Sequence, residues 1–339
     1  MSLATPAATV ETLQTSLQAK AKAEPDFRCY SLWDKACRED VLQEAYRRCH
    51  ANAGAAGVDR VSFAQIEAQG AERWLERLRE ELTSGQYAPK PLLRMWIAKS
   101  NGGRRPLGIP CIADRVVGMA ALLVIGPIFE ADLLPQQYGF RSGLDAKMAL
   151  RRVHWHVTQH GRREVVDADL RDYFTSIPHS PLMRSLSRRI ADGRLLHTTK
   201  GWLTAPVVEI VDGRAVRTTE VRRTKRGVPQ GGVISPPAAN LHFRRFLLAW
   251  HGHGHRDQLD AHVVNYADDF VVCCRPGNAE AALARTQALM ARLGLEVNTA
   301  KTRIARLPGE AFDFLGYTVG RFYGRTGAPT SAPGRRGRR

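Results

Sequence analysis

Val263-Val264-Asn265-Tyr266-Ala267-Asp268-Asp269-Phe270-Val271-Val272-Cys273-Cys274 sets two apolar runs on either side of a pair of acids. β-Branched and aromatic residues broken by Asp read as strand, turn and strand, which puts Asp268 and Asp269 at a hairpin tip. An ordinary hairpin would also use Asp there, because its carboxylate hydrogen-bonds nearby backbone. A second acid in a similar setting argues for more than a turn. Glu164-Val165-Val166-Asp167-Ala168-Asp169-Leu170 is an apolar strand edge whose period of two puts Asp167 and Asp169 on one side. Carboxylates at the ends of buried strands are costly unless charge-compensated, and a divalent cation with oxygen ligands is the usual compensation. The two strands therefore predict that Asp169 and Asp268 meet around Mg²⁺.

Further boxes stand in order along the chain. They are Arg105-Pro106-Leu107-Gly108-Ile109-Pro110, Tyr138-Gly139-Phe140-Arg141, Asp169-Leu170-Arg171-Asp172-Tyr173-Phe174, Gly227-Val228-Pro229-Gln230-Gly231-Gly232-Val233-Ile234-Ser235-Pro236, Tyr266-Ala267-Asp268-Asp269 and Phe314-Leu315-Gly316-Tyr317. In content and order they resemble the reverse transcriptase domain of proteins encoded by bacterial group II introns, over roughly residues 30–320. A single Asp pair is a weak signal, whereas six ordered boxes are a specific one. Local periodicity alone predicts a mixed α/β chain. The resemblance implies an α+β fold with the fingers and palm of a right-hand polymerase, the antiparallel palm sheet packed against helices. It implies an RNA-directed DNA polymerase that adds deoxynucleotides to a primer 3′-hydroxyl, with an RNA template, a DNA primer and dNTPs as partners. Structured group II intron RNA is a further expected partner. Two Mg²⁺ ions, with Mn²⁺ as a substitute, would be held by Asp169, Asp268, Asp269 and the backbone carbonyl of Leu170. One ion would lower the pKa of the primer hydroxyl and the other would bind the triphosphate and assist the departing pyrophosphate.

Composition agrees with such partners. The chain has 339 residues with 44% hydrophobic content, enough for a divided domain or two domains with a substantial core. Lys plus Arg number 50 against 33 acids, a net charge of +17 that favours a polyanionic partner. A generally Arg-rich surface would give the same excess, and Arg335, Arg336, Arg338 and Arg339 contribute part of it from the tail. The six cysteines show no paired metal-finger spacing and read as buried thiols in a reducing compartment. No N-terminal basic segment precedes an apolar signal core, and the apolar run 119–128 is too short to span a bilayer. A cytoplasmic protein with no membrane partner is expected.

Along the chain, residues 1–24 read as a weakly ordered segment with a fraying helix over 10–23. Residues 25–165 are expected to form mainly fingers with basic template-binding elements. Leucines at three- and four-residue spacing predict a helix over 71–82. A hairpin over 92–97 and 106–109 carries Lys99, Arg104 and Arg105 near its turn. The resemblance places that hairpin in the fingers, where Lys99 and Arg105 would meet the incoming triphosphate. A helix over 114–133, with Pro127 kinking or interrupting it, precedes the loop of Tyr138 and Arg141 and a helix over 145–156 with Arg151 and Arg152. Aromatics stack on bases and Arg reaches phosphate, so Tyr138, Arg141, Arg151 and Arg152 suit a template or primer strand, although a packed loop reads the same. His154 and His156 point different ways from one helix and are poor joint metal ligands.

Residues 166–320 are expected to hold the palm-containing catalytic region. The resemblance puts Phe174 under the sugar of the bound nucleotide, where it would disfavour a 2′-hydroxyl. Asp172, Thr175 and Pro178 depart from residues common in the family at those places. Residues 207–211 and 215–221 predict a hairpin. In the 227–236 box, glycines allow close approach of backbone to ligand and Gln230 can bond a nucleotide or template base, so Gln230 and Gly231 are nucleotide-binding candidates. His251, His253 and His255 lie in a polar connection; three imidazoles can bind Zn²⁺, but no Cys lies nearby and the segment reads as a surface loop. A helix over 279–293 is followed by a return strand from Leu295. Asn298-Thr299-Ala300-Lys301-Thr302 resembles the next family box, with Lys301 a candidate to protonate or neutralise pyrophosphate. A strand over 311–317 resembles the segment that grips the primer, with Gly316 at the contact. Residues 321–339 read as a basic disordered tail, with the thumb and maturase region of the family absent by truncation or frameshift, or replaced by an RNA-contacting tail. Two other readings remain open: an RNA-binding, maturase-like remnant without synthesis, and a bacterial defence-associated reverse transcriptase.

Overall fold

A computed structural model of the chain describes residues 5–98, 102–212 and 214–320, with two-residue strands at 322–323, 329–330 and 334–335. It divides into two compact units, Met1–Asp132 with Ile177–Leu241, and Leu133–Ser176 with His242–Arg339.

The first unit opens with α1 (Pro6–Ala23), a complete helix where weak order was expected. Val10, Leu17 and Ala21 are buried along it, and the buried Arg189 guanidinium donates to the carbonyls of Ala21, Glu24 and Pro25 at its C-terminal end. Those carbonyls have no intrahelical partner, so a distant Arg supplies what local sequence does not show. Next come α2 (Trp33–Ala36), α3 (Glu39–Ala51), α4 (Phe63–Ala68) and α5 (Ala71–Ser84). Ser62 and Gln65 close α4 with a capping box, and Gly85, at φ 80°, ends α5. β1 (Leu92–Ala98) and β2 (Arg104–Ile109) pair antiparallel as expected. The apolar run expected to be too short for a bilayer belongs to α6 (Ile112–Glu130), 19 residues long and apolar enough to cross one by length and composition. Within its apolar window 67% is buried inside the fold, the pattern of a core helix that is hydrophobic on all sides.

The chain enters the second unit through α7 (Ala146–Thr158), β3 (Glu164–Ala168) and α8 (Tyr173–Ser176). It returns to the first with α9 (His179–Ser187), α10 (Gly193–Leu203), β4 (Val207–Val211), β5 (Arg214–Thr218) and α11 (Glu220–Thr224). The sheet of the first unit runs β2-β1-β4-β5, with β1 and β4 parallel. β5 stops short of the expected 221: the Thr218 hydroxyl accepts from Glu220 N at 3.3 Å and the chain turns into α11.

After α12 (Ser235–Gly252) the second unit is completed by α13 (His255–Gln258), β6 (Ala261–Tyr266), β7 (Asp269–Cys274), α14 (Ala279–Arg292), β8 (Arg303–Arg306), β9 (Phe312–Phe314) and β10 (Tyr317–Val319). Its main sheet is antiparallel, in the order β6-β7-β3-β8. Val165, Val264 and Val271 cluster with Ala149, Leu150 and Val153 of α7 on one face. On the other, Phe270 meets Phe243 and Phe246 of α12 at ring separations of 5.1 and 5.7 Å. Both faces are covered, which is why β6 and β7 read as unbroken apolar runs rather than alternating ones. The return strand expected from Leu295 is displaced: Val297 makes only an isolated bridge with Leu170, and β8 pairs with β3. The single strand expected over 311–317 is instead β9 and β10, joined by a turn with φ 53° at Leu315 and 80° at Gly316. The fold is mixed α+β, with a central sheet packed against helices.

Candidate active site

β6 and β7 close through Ala267 and Asp268, since Tyr266 pairs with Asp269. Ala267 has φ 59° while Asp268 is not left-handed, the dihedral pattern of a primed two-residue hairpin turn. The buried Asn265 side chain donates to the carbonyls of Ala267 at 2.8 Å and Asp269 at 3.3 Å, tying the turn from beneath. β3 ends beside it, with Ala168 opposite Phe270, so Asp169 leaves β3 at the end of the sheet that carries Asp268 and Asp269. Asp268 is half-buried and its charge reaches the buried Tyr173, whose hydroxyl is pushed well above its ordinary pKa by burial first and by Asp268 second.

Asp169 is held by the segment 298–302. Its carbonyl accepts from Asn298 N at 2.8 Å and its N–H donates to Thr302 Oγ1 at 3.2 Å. On the side chain, Oδ2 accepts from Asn298 Nδ2 at 3.1 Å, and Lys301 Nζ lies 3.7 Å from the same oxygen. The bridge opposite Val297 is carried by Asp169 O and Arg171 N, so neither backbone group of Leu170 is used on it. Asp169, Asp268, Asp269 and a carbonyl form an all-oxygen donor set, the chemistry a hard divalent cation takes. Among the described residues no three His, Cys, Asp or Glu side chains already converge on a cation position.

Phe174 is half-buried and packs edge to face on Tyr173, with centroids 5.7 Å apart. Tyr138 lies within reach of the charges of Arg152 and Arg141, which pull its hydroxyl pKa down against the larger upward push of burial. Arg141 Nη1 donates to the carbonyls of Leu134 at 2.9 Å and Gln137 at 2.7 Å, so this guanidinium braces its own loop. Arg151 is exposed, and Arg152 stacks on Trp155 at 4.3 Å. The exposed aromatic of the 138–141 loop is Phe140, with a left-handed φ of 57°, whereas Tyr138 packs against the core cluster of the sheet. Gly316 is exposed, with open space where a Cβ would point.

Lys99 lies outside the described residues. Arg105, Gln230 and Gly231 belong to the first unit, where Arg105 is exposed on β2. Gly108 N donates to Gln230 O at 2.7 Å, and a Cβ on Gly231 would lie 2.8 Å from Gly108 O. The glycine-rich box is thus laid against β2, with the Gln230 Oε1 atom buried and without a hydrogen-bond partner. Of the three histidines at 251–255, His251 meets Gln136 at 3.3 Å, whereas the His253 and His255 rings lie 5.6 Å apart and His255 meets Arg285 at 2.7 Å. Sequence reasoning singled out Lys301 and passed over Asn298, Thr302 and Asn265, although the first two stand in the same box.

Comparison with known proteins gives three findings. The model of the family described as reverse transcriptase (RNA-dependent DNA polymerase) matches residues 97–319. Protein YkfC of Escherichia coli K12 is 33% identical over 353 residues, covering 94% of this chain and 90% of YkfC. The group II intron-encoded protein LtrA of Lactococcus lactis is 28% identical over 216 residues, covering 62% of this chain and 34% of LtrA.

Proposed function

Since the chain belongs to the reverse transcriptase family, we propose that it is an RNA-directed DNA polymerase that extends a primer 3′-hydroxyl with deoxynucleotides. The observation that carries the reading is the delivery of Asp169 and the Asp268-Asp269 turn to one end of one sheet. In this reading the β6-β7-β3-β8 sheet is the palm, and the β1–β2 hairpin belongs to the fingers. Asp169, Asp268 and Asp269, with the Leu170 carbonyl, would hold Mg²⁺. Bound there, the ions would supply Lewis acidity to the primer hydroxyl and charge neutralisation to the triphosphate. Lys301, beside Asp169, carries the proton offered to the departing pyrophosphate. Phe174 presents its ring to the nucleotide sugar, and Tyr138, Arg151 and Arg152 contact template or primer.

The likeness to an intron-encoded protein supports structured group II intron RNA as a further partner. The six cysteines are free thiols, which suits a reducing compartment, and the reading places the chain in the cytoplasm. Primer extension on poly(rA) with oligo(dT) and Mg²⁺ tests the assignment. Wild-type protein should incorporate dTMP and Asp268→Ala should not, with its melting temperature retained. Equal product from the two proteins would sink it.

A further inference from the structure

Asp169 stands at the open end of β3, where no strand pairing fixes its side chain, and a carboxylate on a loop is free to rotate about two bonds. Four contacts from the 298–302 segment limit that freedom, two on the Asp169 backbone and two on its carboxylate. Asn298 uses both its backbone N–H and its side-chain amide on Asp169, at 2.8 and 3.1 Å, so main chain and carboxylate are gripped by one residue. Thr302 accepts the Asp169 N–H at 3.2 Å, and its own N–H donates to Asn298 O at 2.9 Å, which closes the segment on itself. Both side-chain contacts fall on Oδ2: the neutral amide of Asn298, and Lys301 at 3.7 Å. The segment thereby leaves the other oxygen, Oδ1, to face a cation.

We propose that Asn298 and Thr302 are positioning residues that orient Asp169 as a one-oxygen ligand for the divalent cation of the reaction. The inference rests on the polymerase reading of the site and adds to it which residues set the ligand's geometry. An amide suits the task better than a second cation, because it fixes the carboxylate without neutralising the charge that attracts the metal. Partners that orient a ligand typically change metal affinity or activity by about 10–100-fold when removed. Lys301 has a different part, since its ammonium competes with the metal for the same carboxylate.

The test measures Mn²⁺ binding to the full chain by electron paramagnetic resonance, without nucleic acid, beside steady-state primer extension. Asn298→Ala should melt close to the wild type, bind Mn²⁺ about 10-fold more weakly and lose at least about 10-fold in kcat, with KM for dTTP little changed. Thr302→Val, which keeps shape and loses the hydroxyl, should move in the same direction, and Thr302→Ser should recover most of the loss. A folded Asn298→Ala with wild-type Mn²⁺ affinity and kcat overturns the proposal. Asp169→Ala is the control that separates the two levels: it should abolish extension and weaken Mn²⁺ binding whatever Asn298 does. An Asp169→Ala protein that still extends primers overturns the polymerase reading of the site and this inference with it, whereas an inactive Asp169→Ala beside an unaffected Asn298→Ala overturns the inference alone.

Discussion

Gly139 occupies a position where a side chain has no room: a Cβ would collide with Ala267 N and lie 2.9 Å from Tyr266 C. The obstacle is backbone of the acidic turn, which cannot swing aside as a side chain would. Gly139→Ala should therefore cost about 1–3 kcal/mol in stability and lower incorporation by displacing Asp268, read by thermal melts and primer extension. Phe174 supplies a second prediction at this scale. Its ring is held by the buried Tyr173, so Phe174→Ala opens space without disturbing the acids, and the rNTP-to-dNTP incorporation ratio should rise. An unchanged ratio returns Phe174 to the ordinary core. The acids were legible because their meaning is local, two carboxylates at strand ends between apolar runs. Asn298, Thr302 and Asn265 were not, because an Asn or Thr in a loop announces its partner only once a distant segment has folded against it.

The strands show the same division at the level of elements. β3, β6 and β7 were readable from apolar runs that both covered faces require, and α5 from its leucine spacing. β8 was missed because a strand beginning and ending in Arg has no apolar signature, and it is fixed by its neighbour: Arg303 lies opposite Asp167, 3.4 Å from its carboxylate. At the far end of this sheet, elements carry their own pH dependence. Burial is the largest cause that lowers His156 of α7 to about 3 and His262 of β6 to about 4, with the Arg162 charge adding to both. Asp260 is pushed up by burial, but hydrogen bonds from Arg275 and Arg162 more than offset this and hold it at about 2. Unfolded histidines take protons near pH 6.5 and these folded ones do not, so stability falls as pH drops from about 6.5 toward 4. The stability held by Asp260 is present above about pH 4 and is lost as pH falls toward 2. Thermal melts should decline steadily below pH 6.5, and His262→Gln should flatten the upper part of that decline. A melting temperature constant from pH 7 to 4 would contradict the burial of both imidazoles.

For the molecule as a whole, charge and chemistry rest on different residues and can be separated. The net charge of +17 is dispersed over the chain, so the proposed attraction to nucleic acid would belong to a field rather than to one contact. Incorporation, in the proposed reading, would depend instead on a few carboxylates whose own charge opposes that field locally. Removing one of them should abolish synthesis and leave binding equal or slightly tighter. Asp268→Asn is therefore expected to bind primer-template at least as well as the wild type while incorporating nothing. Replacing Arg151 and Arg152 together by Ala should do the reverse, weakening binding while single-turnover chemistry at saturating nucleic acid persists. Each phosphate neutralised contributes about 0.7–0.9 to the slope of log affinity against log salt, so the double Arg variant should have a slope shallower by about 1–2. Fluorescence anisotropy at several salt concentrations measures that slope directly. A wild-type affinity that does not fall with salt would mean that the basic surface is not what holds the template. A double Arg variant with an unaltered slope would move the contact away from α7 to other basic elements, and the template-binding role given to Arg151 and Arg152 would fall with it.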